Sequence, residues 1–236
     1  MSSSPLMDGK VVVVTGSGRG IGRDIALQMA AAGARVVVND TGALLSGGAS
    51  GGRPRDEVGG LVRGGGGEAA ACSDSVAEWN SAQKIVQAAL DHFGRIDAVV
   101  NNAGILRDRM IFRMSPEEWD AVIQVHLYGS FNVSRAASNH FKEQNGGAYV
   151  HMTSTSGLIG SVGQANYSAA KLGIAGLSRS IALDMERYGV RSNCIAPFAW
   201  SRMVGSIPER PDEKNRLDMA KMLKSDKIAP LAVFLA

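Results

Sequence analysis

Short apolar runs alternate along the chain with longer stretches whose apolar positions recur at helical spacing. The runs read as strands over Val11 to Val14, Arg35 to Asn39, Glu68 to Ser73, Ala98 to Val100, Ala148 to Met152 and Ser192 to Ile195. Between them the spacing predicts helices over roughly Ile21 to Ala32, Asp56 to Arg63, Ala77 to Phe93, Pro116 to Phe141 and Ala165 to Tyr188. Ser115-Pro116-Glu117-Glu118 marks one helix start with an N-cap, an N1 proline and first-turn acids. This alternation is the signature of repeated βαβ units around a parallel sheet, an α/β architecture with helices on both faces.

Two regions depart from the repeat. Residues 41–55 are rich in Gly and Ser and read as an inserted surface loop. At the other end the chain stops inside an apolar segment, Leu231 to Ala236, with neither cap nor polar tail. The expectation there is that a native domain continues, into a seventh strand.

Composition narrows the picture. A chain of 236 residues that is 45% hydrophobic suits one large domain over 1–236. Its 25 Lys and Arg against 22 Asp and Glu leave a charge of +3, scattered along the chain, so no nucleic-acid partner is indicated. Cys72 and Cys194 are far apart in apolar runs and read as reduced core residues. The N-terminal residues lack a basic region followed by a long apolar one, and no run approaches the roughly 18 apolar residues of a membrane span. A soluble cytoplasmic protein is the default expectation; an organelle signal beyond Ala236 is left open.

Chemistry enters at Thr15-Gly16-Ser17-Gly18-Arg19-Gly20-Ile21-Gly22, which follows a four-valine run and opens a helix. Glycines in that context permit a tight turn and close backbone approach to a pyrophosphate, whose charge meets the helix N-terminus. Asp40 ends the second predicted strand about 20 residues on, where a carboxylate accepts from the adenosine ribose hydroxyls. That favours NAD over NADP, although Arg19 beside the turn could accept an extra phosphate. Asp74, Ser75 and Val76 follow the third strand as adenine-edge candidates, and Asp and Ser there serve equally well as helix-start residues. Asn102, Ala103 and Gly104 end the fourth strand on the same side of the sheet. A Rossmann-type, doubly wound sheet binds its ligand on that side.

Tyr167 and Lys171, four residues apart, share one helix face, with Ser154 thirteen positions before the tyrosine. An ammonium beside a phenol favours phenolate, lowering a tyrosine pKa from about 10 by one to three units and making it a usable base near neutrality. Taken alone, the pair is equally an ordinary solvated helix spacing.

With T-G-S-G-R-G-I-G, N-N-A-G, Ser154, Y-S-A-A-K and Ile195-Ala196-Pro197 in this order, the chain resembles the short-chain dehydrogenase/reductase family over nearly its whole length. The resemblance implies that Tyr167 is the acid/base, that Lys171 lowers its pKa and holds the nicotinamide ribose, that Ser154 orients the substrate oxygen, and that Pro197 joins the cofactor contacts. Val36 to Asp40, Phe93 to Asp97, Asn101 to Arg109, Val125 to Leu127 and Gly163 to Gly173 look closest to the (3R)-hydroxyacyl-CoA dehydrogenase domains of multifunctional β-oxidation enzymes and their bacterial relatives. Some bacterial steroid dehydrogenases share this appearance. Where many members carry a water-holding asparagine, this chain has His126, either a relay group or a packed histidine.

These readings converge on hydride transfer between a secondary alcohol, or its ketone, and NAD. Trp200 and Met203, in a substrate loop region over 197–225, suggest an apolar cleft or ordinary packing; Arg202 could meet a CoA phosphate or solvent. A homodimer or homotetramer is implied by the resemblance. The competing readings are an NADPH-dependent 3-oxoacyl-carrier-protein or sterol reductase and a dinucleotide-sensing scaffold without turnover. Ser154 lacks the G-x-S-x-G elbow of a hydrolase, and the four histidines lack metal-ligand spacing.

Overall fold

The computed structural model describes residues 5–43, 53–198 and 224–236. Six parallel strands form one sheet: β1 (Val11–Thr15), β2 (Arg35–Asn39), β3 (Ala69–Cys72), β4 (Ala98–Asn101), β5 (Gly147–Met152) and β6 (Val190–Ile195). Their spatial order is β3-β2-β1-β4-β5-β6. The chain reverses direction across the sheet between β1 and β4, which opens a crevice at their C-terminal ends.

Every residue of β1 is buried, because both faces of the sheet are covered. Val12 and Val14 pack with Ile25 and Met29 of helix α1 (Gly20–Ala31). Val11 and Val13 face the opposite layer with Ile85 of α3 (Trp79–Phe93) and Phe141 of α5 (Gly129–Glu143). Helix α2 is Pro54–Gly64, so the expected surface loop gives up its last two residues to a helix in which Pro54 takes an N-terminal position. Residues 44–52 of that loop lie outside the described residues, as do Trp200, Arg202 and Met203 of the expected substrate loop.

The sequence predicts one helix over Pro116 to Phe141; the chain instead forms α4 (Pro116–Ile123), a π-helical turn over Gln124–Tyr128, and then α5. The start is as expected: Ser115 Oγ accepts from Glu118 N at 3.2 Å, and Glu118 Oε2 accepts from Ser115 N at 3.0 Å. Such a reciprocal cap stabilises a helix by about 1 kcal/mol. Two α-helices were not anticipated. Thr155–Ile159 forms a short helix, α6, before the long α7 (Ala165–Met185), and the terminal apolar segment forms α8 (Ala229–Leu235). Ala229, Ala232 and Val233 of α8 join the core on the α1 side.

One cysteine reading is corrected. Cys72 is buried, but Cys194 is exposed. It lies on β6, which pairs with β5 and forms the edge of the sheet among the described residues.

Candidate active site

The glycine turn is built from backbone that side chains would obstruct. Gly16 has φ of +61°, and a Cβ there would come within 2.7 Å of Ala103 Cα; one on Gly22 would meet the Gly16 carbonyl oxygen at 2.4 Å. Only glycine fits both. Helix α1 then begins with no side-chain cap and no acid in its first turn, leaving the positive end of its dipole toward the crevice. A dinucleotide pyrophosphate fits such a cradle.

Neighbouring side chains brace this turn. Ser17 is fully buried, and its hydroxyl donates to Val14 O at 2.7 Å. It shapes the turn from behind and does not line the crevice. Asn102 donates its amide to Thr15 O and Gly16 O, both at 3.0 Å. Thr15 Oγ1 in turn accepts from the backbone N–H groups of Asn102 and Ala103 at 3.0 and 3.1 Å. The Asn-Asn-Ala-Gly segment therefore serves first as a buttress. Asp40 is held as a fixed carboxylate, Oδ2 accepting from Gly18 N at 2.9 Å and Oδ1 from Gly42 N at 2.7 Å. Asn39 donates to Asp74 O at 2.9 Å, fixing the segment after β3 beside it.

A cleft of about 530 Å³ runs along these strand ends. Gly16, Arg19, Gly20, Ile21, Gly22, Asp40, Asp74, Ser75, Val76, Asn102, Ala103, Gly104, Tyr167, Lys171 and Pro197 all line it. Of the described residues named from sequence as catalytic or cofactor-binding, Ser17 and Ser154 alone do not. Ser154 sits just behind as the N-cap of α6, accepting from Ser156 N at 3.2 Å and hydrogen-bonded to the Tyr167 phenol.

Lys171 is 4% exposed and donates through Nζ to Met152 O at 2.6 Å; the same Nζ lies 5.5 Å from the centre of the Tyr167 ring. Burial pulls its pKa down to about 7. For Tyr167 the sequence-based expectation is corrected. Burial raises the phenol above its usual 10, the Asp108 carboxylate adds to the rise, and the Ser154 hydrogen bond opposes it.

His126 lies in the π-helical turn, 1% exposed, with its ring edge-on to Tyr167 at 5.2 Å between centres. Its Nε2 is 2.8 Å from Ile105 O. Burial, with the nearby Lys171 charge, pushes its pKa down to about 3, so the ring is neutral. A Cβ on Gly104 would strike His126 Cε1 at 2.4 Å, which explains the glycine. Packing and the Ile105 carbonyl hold the ring in place, while its Nδ1 is buried without a hydrogen-bond partner among the described residues.

Several residues that hold this site were missed from sequence: Thr15, Asn39, Gln164, Asn166 and Thr153, whose hydroxyl donates to Lys171 O at 2.7 Å. Each is a buried polar residue next to a recognised motif, and that adjacency was the available signal.

Comparison with known proteins agrees with this geometry. The chain is 48% identical over 235 residues to mouse peroxisomal multifunctional enzyme type 2, covering 99% of this chain but only 30% of that enzyme. It is 42% identical over 240 residues to the hydroxyacyl-CoA dehydrogenase ChsB1 of Mycobacterium tuberculosis, covering 98% of this chain and 73% of the relative. A 7α-hydroxysteroid dehydrogenase solved with NADH and 7-oxo glycochenodeoxycholic acid superposes with a TM-score of 0.88 at 26% identity, over 100% of this chain and 90% of that one. Residues 10–209 match the short chain dehydrogenase family model. The chain therefore belongs to the short-chain dehydrogenase/reductase family, oxidoreductases that act on hydroxyl and keto groups with NAD(P).

Proposed function

We propose that the protein transfers hydride between NAD and the 3-hydroxyl, or 3-keto, carbon of an acyl-CoA. The observation that carries this reading is the single cleft that brings the glycine turn, Asp40, Tyr167 and Lys171 together. The nicotinamide supplies the hydride chemistry when bound. The chain's own residues bind, orient and move one proton. Ser154 holds the Tyr167 phenol and orients the substrate oxygen; Tyr167 gives its proton to a ketone or takes one from an alcohol; Lys171, anchored on Met152 O, supplies positive charge as the oxygen gains negative charge.

Two features support NAD over NADP. Both Asp40 oxygens are fixed by backbone N–H groups at the end of β2, and a carboxylate there accepts from ribose hydroxyls while repelling a 2′-phosphate. Arg19 lines the same cleft and is the one feature on the other side. The acyl-CoA substrate is supported by the likeness to ChsB1 and to the mouse enzyme, of which this chain spans under a third. A hydroxysteroid is the second reading, supported by the superposition on the 7α-hydroxysteroid dehydrogenase.

Assembly as a homodimer or homotetramer through the helices around α5 and α7 is part of the same proposal, and Tyr128 and Phe131 expose apolar surface there. Cytoplasmic location belongs to it too, although the mouse relative is named peroxisomal; fractionation decides it. None of the described helices is long and apolar enough to cross a membrane. The direct test is a panel of (3R)- and (3S)-hydroxyacyl-CoAs and hydroxysteroids with NAD and with NADP, followed by reduced-nicotinamide absorbance. Turnover of a hydroxyacyl-CoA with NAD supports the proposal. Turnover of steroids alone, or a strong NADP preference, replaces it.

A further inference from the structure

The glycine turn holds a glycine that neither backbone conformation nor the cleft explains. Gly16 and Gly20 take positive φ, +61° and +56°, and both line the cleft with Gly22. Gly18 does neither. An alanine could adopt its backbone conformation without strain, so the reason for glycine lies in what a side chain there would strike.

It would strike Asp40. A Cβ on Gly18 would come within 2.8 Å of Asp40 Oδ2, 2.9 Å of Asp40 Cγ and 2.8 Å of Pro54 Cβ. The carboxylate therefore fills the space that a side chain at position 18 would take, and it is bonded there: Gly18 N donates to Oδ2 at 2.9 Å. Little room remains for it to give way. Oδ1 accepts from Gly42 N at 2.7 Å, Asp40 N donates to Cys72 O at 3.0 Å, and Pro54, the first residue of α2, closes the far side of Gly18. A carboxylate pushed out of this place loses the Gly18 N–H, and Arg19, which lines the same cleft, then favours a phosphate with less opposition.

We propose that Gly18 is a positioning residue for the choice of cofactor: by carrying no side chain it lets Asp40 set its carboxylate against the turn, where it accepts from the ribose hydroxyls of NAD and repels a 2′-phosphate. Gly18 acts through Asp40 and not on the dinucleotide itself. The inference rests on the reading that Asp40 selects NAD. A side chain at position 18 can then cost no more selectivity than the loss of Asp40.

The test is a double-mutant cycle read by binding, without turnover. NADH and NADPH are titrated by fluorescence into the whole chain as wild type, Gly18→Ala, Asp40→Ser and the double variant. Gly18→Ala should lower the ratio of the NADPH Kd to the NADH Kd by about three- to tenfold, and no further than Asp40→Ser does. In the Asp40→Ser background the same change should leave the ratio within about twofold, because the carboxylate it displaces is gone. An unmoved ratio in Gly18→Ala overturns the proposal. So does an equal fall in both backgrounds, which would mark pressure on Pro54 or the turn. If Asp40→Ser itself leaves the ratio unmoved, the NAD reading fails and this inference falls with it; a ratio that answers to Asp40→Ser but not to Gly18→Ala sinks the inference alone. Should Gly18→Ala fail to fold, shortening its clash partner in the double variant must restore a thermal unfolding transition, and a double variant that also fails to fold overturns the proposal.

Discussion

The two walls of the cleft are made by different means. On the cofactor side, from β1 to β3, the surface is backbone: Gly16 and Gly22 are required because any side chain would collide with Ala103 or with the turn itself. On the catalytic side, from β4 to β6, the buried polar side chains of Lys171 and His126 line the cleft, with Asn166 and Gln164 behind them, each fixed by a partner distant in sequence. A backbone wall specifies a ligand by what is missing. A side-chain wall specifies chemistry by what each group does to its neighbours' protons, so its members act jointly.

The largest effect should come from the catalytic wall. Lys171→Met keeps the bulk of the side chain but removes the charge beside Tyr167, and kcat is expected to fall about 10²- to 10³-fold. A fall of less than about threefold would mean that the charge is not used. On the cofactor wall, Gly22→Ala forces a Cβ to within 2.4 Å of the Gly16 carbonyl. Its expected cost is about 10- to 100-fold in dinucleotide affinity, read by fluorescence titration, with the pH profile of the chemistry unchanged. A shifted profile would show that the two walls are coupled. Asp40→Ser is milder, removing the carboxylate that opposes a 2′-phosphate; the NAD to NADP preference ratio should drop about tenfold.

Titration gives the smallest and most graded effects. Because burial raises the Tyr167 phenol, oxidation rates should climb with pH through the alkaline range while ketone reduction weakens over the same interval. Stability should follow the two neutral histidines. His126 is held down at about 3 and His151 at about 4, both below their ordinary 6.5, so the unfolded chain binds protons that the folded chain does not. Folding stability is then complete above pH 6.5 and falls on acidification below it, by roughly 1.4 kcal/mol per histidine per pH unit. Denaturant melts at pH 7 and pH 5 measure this, and His151→Asn should remove about half of the difference, leaving the part due to His126.

The same contrast explains what could be read in the sequence. All six strands, the cap at Ser115 and the cofactor wall were legible, because each depends on a local pattern: an apolar run, a helix start, or glycines where backbone must approach a ligand. The π-helical turn at Gln124–Tyr128 was not, since nothing local interrupts the helical spacing there. It places His126 against Ile105 and Tyr167, contacts that exist only after the layers pack. The direction of the Tyr167 shift was not legible for the same reason. Spacing puts Lys171 next to Tyr167, but burial, which spacing does not report, raises the phenol and lowers the lysine. The hydrogen bond from Gln164 to Asp108 joins residues 56 apart, and its one local trace was the place of Gln164 beside the tyrosine motif.

The most direct test of the cleft as a proton-coupled hydride-transfer site is Tyr167→Phe, measured twice: NADH binding by fluorescence, and turnover of the best alcohol substrate with NAD. The phenol's proton is the one function this change removes. Unchanged binding with turnover lowered by about 10³-fold or more is the result predicted. Turnover within a few-fold of the wild type would contradict the account, because the proton would then travel by a route that does not include Tyr167.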